Sequence, residues 1–150
     1  MKNIKYNLAS DSWDDEEIKA INEVISSNRY TMGDRVKKFE SEFANFFGSK
    51  YSIMVNSGSS ANLLMLASLI SSGQYDLQKG DEVIVPAVSW STTYFPVTQY
   101  GLKLVFVDVD KETLNINVNK IEEAITSKTK IIFAVNLLGN PCEINHLKKI

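Results

Sequence analysis

Short apolar segments alternate with longer amphipathic ones over most of the chain, and this alternation constrains the fold more than any other feature. The apolar runs predict strands at residues 51–55, 82–86, 104–107 and 130–135. Helices are predicted at residues 59–70, 91–100 and 119–125, and over the last eight residues. Strands that are apolar throughout must be covered on both faces. The sequence therefore predicts an α/β fold with a mostly parallel sheet covered by helices.

Two amphipathic helices are predicted before the first strand. Ser12 or Asp14 can cap a helix that ends near Asn28 and carries Ile18, Ile21, Val24 and Ile25 on one face. The next helix ends at Gly48 and has the apolar residues Val36, Phe39, Phe43, Phe46 and Phe47 at helical spacing. The chain turns between them at residues 30–33 (YTMG).

The composition is that of a globular chain and argues against several classes of partner. Of the 150 residues, 44% are hydrophobic and 23% charged, with a net charge of −2 and no basic stripe, so nucleic acid and anionic membranes are poor partners. A single cysteine, Cys142, rules out an internal disulfide and fits a reducing compartment. The chain has no signal-peptide pattern and no apolar run approaching the roughly 20 residues that cross a bilayer. We therefore expect a cytoplasmic location.

Ligands of parallel α/β sheets bind at the carboxyl ends of the strands, which makes residues 56–62 (NSGSSAN) the first candidate site. Gly58 is expected to take a positive φ, and the free N–H groups of the following helix can bind a phosphate beside the hydroxyls of Ser57, Ser59 and Ser60. The alternative is that Ser59 or Ser60 only caps the helix. The segment is neither a Walker loop nor a dinucleotide-binding glycine pattern.

The other strand ends carry further candidates, each with a plain structural alternative. Trp90 could stack on an aromatic cofactor or belong to the core. Asp108 and Asp110 could partner a pyridinium nitrogen or form a turn. Asn136 is expected at the mouth of the sheet. Among the remaining reactive types, His146 is expected to be solvated and Cys142 to be an inert thiol, and neither is spaced for a metal site.

Taken together, these segments resemble one family, the pyridoxal-phosphate (PLP) enzymes of fold type I that act on nucleotide sugars (the DegT/StrS group). The matching segments are YTMG (30–33), FESEFA (39–44), NSGSSAN (56–62), GDEVIVPA (80–87), FVDVD (106–110) with TLNI (113–116), and NLLGNP (136–141). The resemblance implies a helical segment with a substrate loop at residues 1–35. Residues 36–150 would be the first part of the PLP-binding large domain, with the rest of that domain and the C-terminal domain absent.

Two segments, SWS (89–91) and NLLGNP (136–141), are similar to one branch of the family, the C-3 dehydratases of nucleotide-linked 4-keto-6-deoxyhexoses. Ordinary sugar aminotransferases tend to have Phe-Thr-Phe at the first segment and a different sequence at the second. The resemblance implies that Gly58 and Ser59 hold the cofactor phosphate and that Trp90 stacks on its ring. It also implies that residues 28–31 reach the nucleotide sugar; these are Asn28, Arg29, Tyr30 and Thr31. Asp108 and Asp110 lose their cofactor role, because the family's pyridinium aspartate comes from a later strand.

The resemblance implies use of the cofactor as PLP and pyridoxamine phosphate (PMP), with glutamate as amino donor and a homodimer as the assembly. The expected substrate is GDP-4-keto-6-deoxymannose, in the synthesis of colitose for lipopolysaccharide O-antigen. The active-site base is a lysine in the aminotransferases and a histidine in the dehydratases, and it is expected beyond Ile150, so no catalytic residue is predicted within the chain. Two alternatives stay open: a sugar aminotransferase of the same fold, and a truncated chain without activity. The 150-residue chain alone is predicted not to turn over substrate.

Overall fold

The structure, a computed structural model, describes residues 11–150. Residues 1–10, the beginning of the predicted segment 1–35, lie outside the described part. The chain divides between Met54 and Val55 into two compact units, and each is described by itself. The boundary predicted at residues 35 and 36 concerns the domains of a longer protein and stays a prediction.

The first unit contains the two predicted helices, α1 (Asp15–Ser27) and α2 (Asp34–Phe47). Asp14, one of the two predicted caps, begins α1: its carboxylate accepts from the N–H of Glu16, and the Glu17 carboxylate accepts from the N–H of Asp14. Asn28 in the left-handed conformation ends α1, and Gly48, with φ +65°, ends α2. The sequence located both helices because their ends are encoded by such local signals.

The second unit contains the predicted parallel sheet. Its elements are α3 (Gly58–Ser71), β1 (Glu82–Pro86), α4 (Ser91–Gln99), β2 (Lys103–Val107), α5 (Ile121–Ala124), β3 (Thr129–Ile132) and α6 (Ile144–Leu147), with single 3-10 turns at Val118–Lys120 and Leu137–Gly139. Within the described residues the sheet has the strand order β2-β1-β3, and both pairings are parallel. The α/β fold class is therefore confirmed.

The central strand β1 is buried along its whole length, because successive side chains point to opposite faces and both faces are covered. Val83 and Val85 pack in one core cluster with Leu66 of α3 and Val97 of α4. On the other face, Ile84 packs with residues from β2 onward: Val107, Ile116, Val118 and Ile121. This two-sided burial is the physical reason for the continuous apolar runs in the sequence.

The strand predicted at residues 51–55 is wrong: the segment forms no strand. A strand requires a neighbour to which its backbone can bond, and no segment of the described chain pairs with this one. Instead, the N–H of Met54 donates to the Glu40 carboxylate at 2.9 Å. The predicted strand at 130–135 is also shorter than expected and ends at Ile132.

Glu82 is a carboxylate within the otherwise apolar strand β1, and it joins all three strands at their amino ends. Its oxygens accept from the Lys103 ammonium at 2.9 Å and from the Thr126 hydroxyl at 2.6 Å, and Thr129 lies 3.5 Å away. These contacts compensate for the burial of the side chain. In residues 11–150, no helix combines the length and the apolar character needed to cross a bilayer.

Candidate functional site

The start of helix α3 presents free backbone donors at the place where the sequence predicts a phosphate site. Ser57 caps the helix by accepting from the N–H of Ser60 at 3.2 Å, so the expectation that Ser59 or Ser60 is the cap is wrong. The N–H groups of Gly58 and Ser59 have no acceptor in the described part of the chain. The first turn also lacks acidic residues. This arrangement can bind an anion.

Gly58 does not have the positive φ that was predicted. The glycines with positive φ lie elsewhere, and Gly58 is the first helical residue of α3. Its backbone conformation is therefore open to any residue. A Cβ at this position would meet nothing within 4 Å and would project into open space. What glycine provides here is close access for a ligand to the backbone, and not a special turn.

Trp90 is the residue immediately before α4, and its side chain is 75% exposed, so the core alternative is wrong. Two hydrogen bonds tie α4 to the preceding residues, one to the end of β1 and one to the loop that carries Trp90. The Tyr94 hydroxyl donates to the Pro86 carbonyl at 2.9 Å, and the Ser89 and Thr93 hydroxyls are 2.9 Å apart. Burial raises the pKa of Tyr94, which keeps this donor protonated. The indole is thus exposed on a constrained backbone.

Asp108 and Asp110 act in local structure, as the turn interpretation predicts. The Asp110 carboxylate accepts from the N–H groups of Thr113 and Glu112, and these bonds hold its pKa below the ordinary value. Asp108 accepts from the N–H of Val109 and from Lys120, and its pKa is lowered for the same reasons. Both carboxylates are satisfied by the loop that follows β2.

Asn136 and Cys142 also serve the local structure. The Asn136 side-chain oxygen accepts from the N–H of Cys142 at 2.9 Å, so this amide is partly engaged in its own loop. The Cys142 thiol is buried, donates to the Val135 carbonyl and has its pKa raised by burial, which confirms an inert thiol. Asn115, which the sequence analysis overlooked, is buried and bonds to Leu137 and Asn140.

In the first unit, two of the four predicted substrate residues line one cleft. Arg29 and Tyr30 line a cavity of about 430 Å³ together with Glu23, Asp34 and Arg35. Arg29 lies 3.7 Å from Asp34, and Arg35 pairs with Glu23. Asn28 and Thr31 are exposed and do not line the cleft, although the Asn28 side chain accepts from the Tyr30 hydroxyl at 3.2 Å. The cleft offers cationic, aromatic and carboxylate groups.

In the second unit, a smaller cavity lies between α3 and α4. Its volume is about 190 Å³, and its walls include Ser59, Ser60 and Thr92. Asn62 crosses between the two helices: its Nδ2 donates to the Thr92 carbonyl at 3.2 Å. The sequence analysis overlooked Asn62 and Tyr94. Pro96 lies inside a predicted helix and could have pointed to Asn62, because a proline at this position leaves the Thr92 carbonyl without a donor from its own helix.

The fold is that of a PLP-dependent aminotransferase-type large domain, and the sequence comparison shows the family. The chain belongs to the DegT/DnrJ/EryC1/StrS aminotransferase family, which it matches over residues 11–150. It is 58% identical over 147 residues to a GDP-4-keto-6-deoxy-D-mannose 3-dehydratase of Yersinia pseudotuberculosis. It is 56% identical to the protein of the same name from Escherichia coli O55:H7 and 38% identical to a sugar transaminase of Aneurinibacillus thermoaerophilus.

Solved structures of sugar dehydratases and aminotransferases also superpose on this chain. The Escherichia coli dehydratase with bound hydrated PLP superposes with a TM-score of 0.91 and 56% identity over 97% of this chain. A sugar aminotransferase of Streptococcus pneumoniae in its PMP form superposes with a TM-score of 0.85 at 28% identity, again over 97% of the chain. The chain spans little more than a third of the relatives it matches, 37% of the Yersinia protein and 38% of the solved Escherichia coli chain.

Proposed function

We propose that this chain is part of a PLP- and PMP-dependent enzyme that removes the C-3 hydroxyl of a nucleotide-linked 4-keto-6-deoxyhexose, with GDP-4-keto-6-deoxymannose as substrate. The observation that carries the proposal is the identity of 58% and 56%, over 98% of this chain, with two dehydratases named for that substrate. Identity with the transaminase is 38%, over 88% of the chain. A mutant GDP-4-keto-6-deoxymannose-3-dehydratase that is 56% identical to this chain has been solved with bound GDP-perosamine, which supports a GDP-sugar as ligand.

The residues at the start of α3 and α4 fit the proposed cofactor. The unbonded N–H groups of Gly58 and Ser59 would hold its phosphate, aided by the positive end of the α3 dipole. The exposed indole of Trp90 would cover one face of the pyridine ring. When bound, PMP supplies the amine that reacts with the C-4 ketone and the ring that accepts electron density while the C-3 hydroxyl departs. The protein part described here would bind and orient that group.

The first unit would contribute to binding of the nucleotide sugar. Arg29 supplies positive charge for the diphosphate, and Tyr30 supplies an aromatic face at the same cleft. Asn28 and Thr31, both exposed beside them, would add hydrogen bonds from the amide and the hydroxyl. The Arg29–Asp34 pair is exposed and weak, so a diphosphate can replace the carboxylate at little cost.

The remaining parts of the proposal concern the longer protein. Glutamate would recharge the cofactor by transamination, and the assembly would be a homodimer. The location would be the cytoplasm, and the product would serve colitose and O-antigen synthesis. The proton-transfer residue would follow Ile150 in the longer protein. The 150-residue chain alone would bind ligands at most.

A sugar aminotransferase of the same fold is the second candidate, and the family match and the transaminase relative favour it. The resemblance implies that the active-site base is a lysine in one candidate and a histidine in the other, which makes the reading frame after Ile150 the first test. A histidine at the cofactor-facing position supports dehydration, and a lysine overturns it in favour of amino transfer. A stop codon would leave the third candidate, a chain without activity.

The assay that tests the reaction uses the full-length protein with PMP, glutamate and GDP-4-keto-6-deoxymannose. Loss of the C-3 hydroxyl is expected to give a keto sugar that lacks one oxygen atom, with 2-oxoglutarate formed from glutamate and the amino nitrogen released as ammonia. Mass spectrometry separates this product from the amino sugar that a transaminase would form. Accumulation of the amino sugar, or no change in the sugar, would contradict the proposal.

A further inference from the structure

Asn62 links the two helices that would carry the cofactor-binding groups. It is the fifth residue of α3, and its Nδ2 donates to the Thr92 carbonyl, on the second residue of α4, at 3.2 Å. Within residues 11–150 this is the one side-chain hydrogen bond between α3 and α4. The side chain is half-buried. Asn62 therefore joins two segments that are thirty positions apart in the chain.

The Thr92 carbonyl needs this external donor because of Pro96. In a regular helix, the carbonyl of residue 92 would accept from the N–H of residue 96, but proline has no N–H and its ring crowds that carbonyl. Pro96 lies inside α4 and is buried. The amide of Asn62 replaces the missing helical bond. The hydrogen bond between Asn62 and Thr92 therefore supplies a donor at the one carbonyl of α4 that Pro96 deprives of its helical N–H.

The position of this bond connects it to the proposed cofactor site. Asn62 lies one helical turn after Gly58, on the same face of α3. Thr92 lies two residues after Trp90. Ser59 and Thr92 line the same cavity of about 190 Å³ between the first turns of the two helices. Farther along, Leu66 of α3 and Val97 of α4 pack in one core cluster, so the Asn62 hydrogen bond is the polar link near the amino ends of the helices.

We propose that Asn62 is a positioning residue for the cofactor: it fixes the first turn of α4, and with it Trp90, relative to the phosphate-binding N–H groups of α3. This inference rests on the proposed function, since it assigns Gly58, Ser59 and Trp90 to one ligand. Asn62 itself does not touch the reacting atoms in this proposal. It would set the distance and the angle between the N–H groups of Gly58 and Ser59 and the indole ring of Trp90.

The test measures PMP affinity and the induced circular dichroism of the bound cofactor in the full-length protein. Asn62→Leu keeps the approximate size of the side chain but removes the donor, and it is expected to weaken PMP binding roughly tenfold and to change the dichroism band. Gln99→Leu is the matched control, because Gln99 lines the same cavity without bonding to α3. The control is expected to bind PMP as the wild type does.

A second variant separates positioning from simple stabilisation. Pro96→Ala restores an N–H that can bond to the Thr92 carbonyl within α4. Asn62→Leu alone is expected to lower the melting temperature, and the double variant Asn62→Leu/Pro96→Ala is expected to restore it. PMP affinity and the dichroism band are expected to stay altered in the double variant, because no side-chain hydrogen bond then links α3 to α4. Recovery of all three quantities would overturn the inference and make Asn62 a structural residue. Unchanged PMP binding in Asn62→Leu would also overturn it. A wild-type protein that binds no PMP would overturn the proposed function as well.

Discussion

Glu82 shows how one buried charge is used in this sheet. The residue is 5% exposed, and its carboxylate accepts from Lys103 on β2 and from Thr126 before β3, so it holds the amino ends of three strands together. The hydrogen bond from Lys103, followed by that from Thr126, keeps the pKa of Glu82 below its ordinary value of 4.5. Because the folded pKa is lowered, the ionised carboxylate stabilises the fold above the unfolded pKa, and this contribution is lost as the pH falls through the folded pKa.

The prediction for Glu82 is a pH-dependent loss of stability in Glu82→Gln. The variant is expected to melt several degrees below the wild type near neutral pH, and the difference is expected to shrink below about pH 4.5 as the wild-type carboxylate is protonated. Thermal unfolding from about pH 7 to about pH 3 measures it. Glu122→Gln, an exposed position on α5, is the control and is expected to have no such pH dependence. A constant difference at all pH values would contradict the role of the charge.

Replacement of Trp90 is expected to weaken cofactor binding without lowering the stability of the fold. Its side chain is 75% exposed, so Trp90→Leu is expected to keep the wild-type melting temperature. If the indole stacks on the cofactor, the same variant should bind PMP roughly tenfold more weakly, the size of a typical stacking contribution. Fluorescence titration of the full-length protein measures the affinity. Trp13→Leu, at the other exposed tryptophan, is the control, and equal affinities in both variants would contradict the stacking role.

At the scale of the helices, two glycines are predicted to behave in opposite ways. Gly58, the first residue of α3, has no positive φ and open space around it, so Gly58→Ala should fold normally. If the phosphate binds there as proposed, the added methyl group should weaken PMP binding. Gly48 ends α2 with φ +65°, so Gly48→Ala should lower the free energy of unfolding by about 1 kcal/mol and leave PMP affinity unchanged. Denaturant titration and PMP titration of both variants test the pair. A loss of stability in Gly58→Ala without a loss of affinity would contradict it.

The elements that the sequence predicted well are those with local signals. Asp14 and Gly48 mark helix ends through their own side chain or backbone freedom, and residues 82–86 are apolar because both of their faces are buried. The strand at residues 51–55 failed because pairing depends on a neighbour, which a local pattern does not contain. The residues proposed to bind the phosphate were chosen from a motif and stay a prediction, although the positive φ expected of Gly58 was wrong.

Features that depend on contacts between distant residues were not predictable in the same way. Glu82 belongs to a predicted strand, but its partners Lys103 and Thr126 are brought to it only by the strand order β2-β1-β3. Asn62 could have been suspected from Pro96, since a proline in a helix leaves one carbonyl free. The identity of the donor to that carbonyl nevertheless depends on the packing of α3 beside α4.

At the scale of the whole molecule, helix α2 exposes a row of aromatic side chains. On α2 the rings of Phe39, Phe43 and Phe47 follow one another with centroids 5.4 and 4.6 Å apart, and Phe46 adjoins Phe47 at 5.0 Å. All four are exposed, and Phe46 is 83% exposed. Contiguous apolar patches of this kind normally contact protein. The chain spans 37% of the length of its Yersinia relative.

The last prediction follows from that exposed surface. Residues 1–150 produced alone are expected to self-associate at micromolar concentration, to bind a hydrophobic dye more strongly than the full-length protein, and to convert no nucleotide sugar. Size-exclusion chromatography with light scattering measures the association, and Phe46→Lys should reduce it because a charge at an exposed ring position opposes contact between patches. Lys38→Glu, a charge change on the same helix, is the control for a general effect of charge. A monomer with low dye binding would show that the aromatic face of α2 does not drive association. Turnover of nucleotide sugar by residues 1–150 would show that the catalytic groups are contained within these residues.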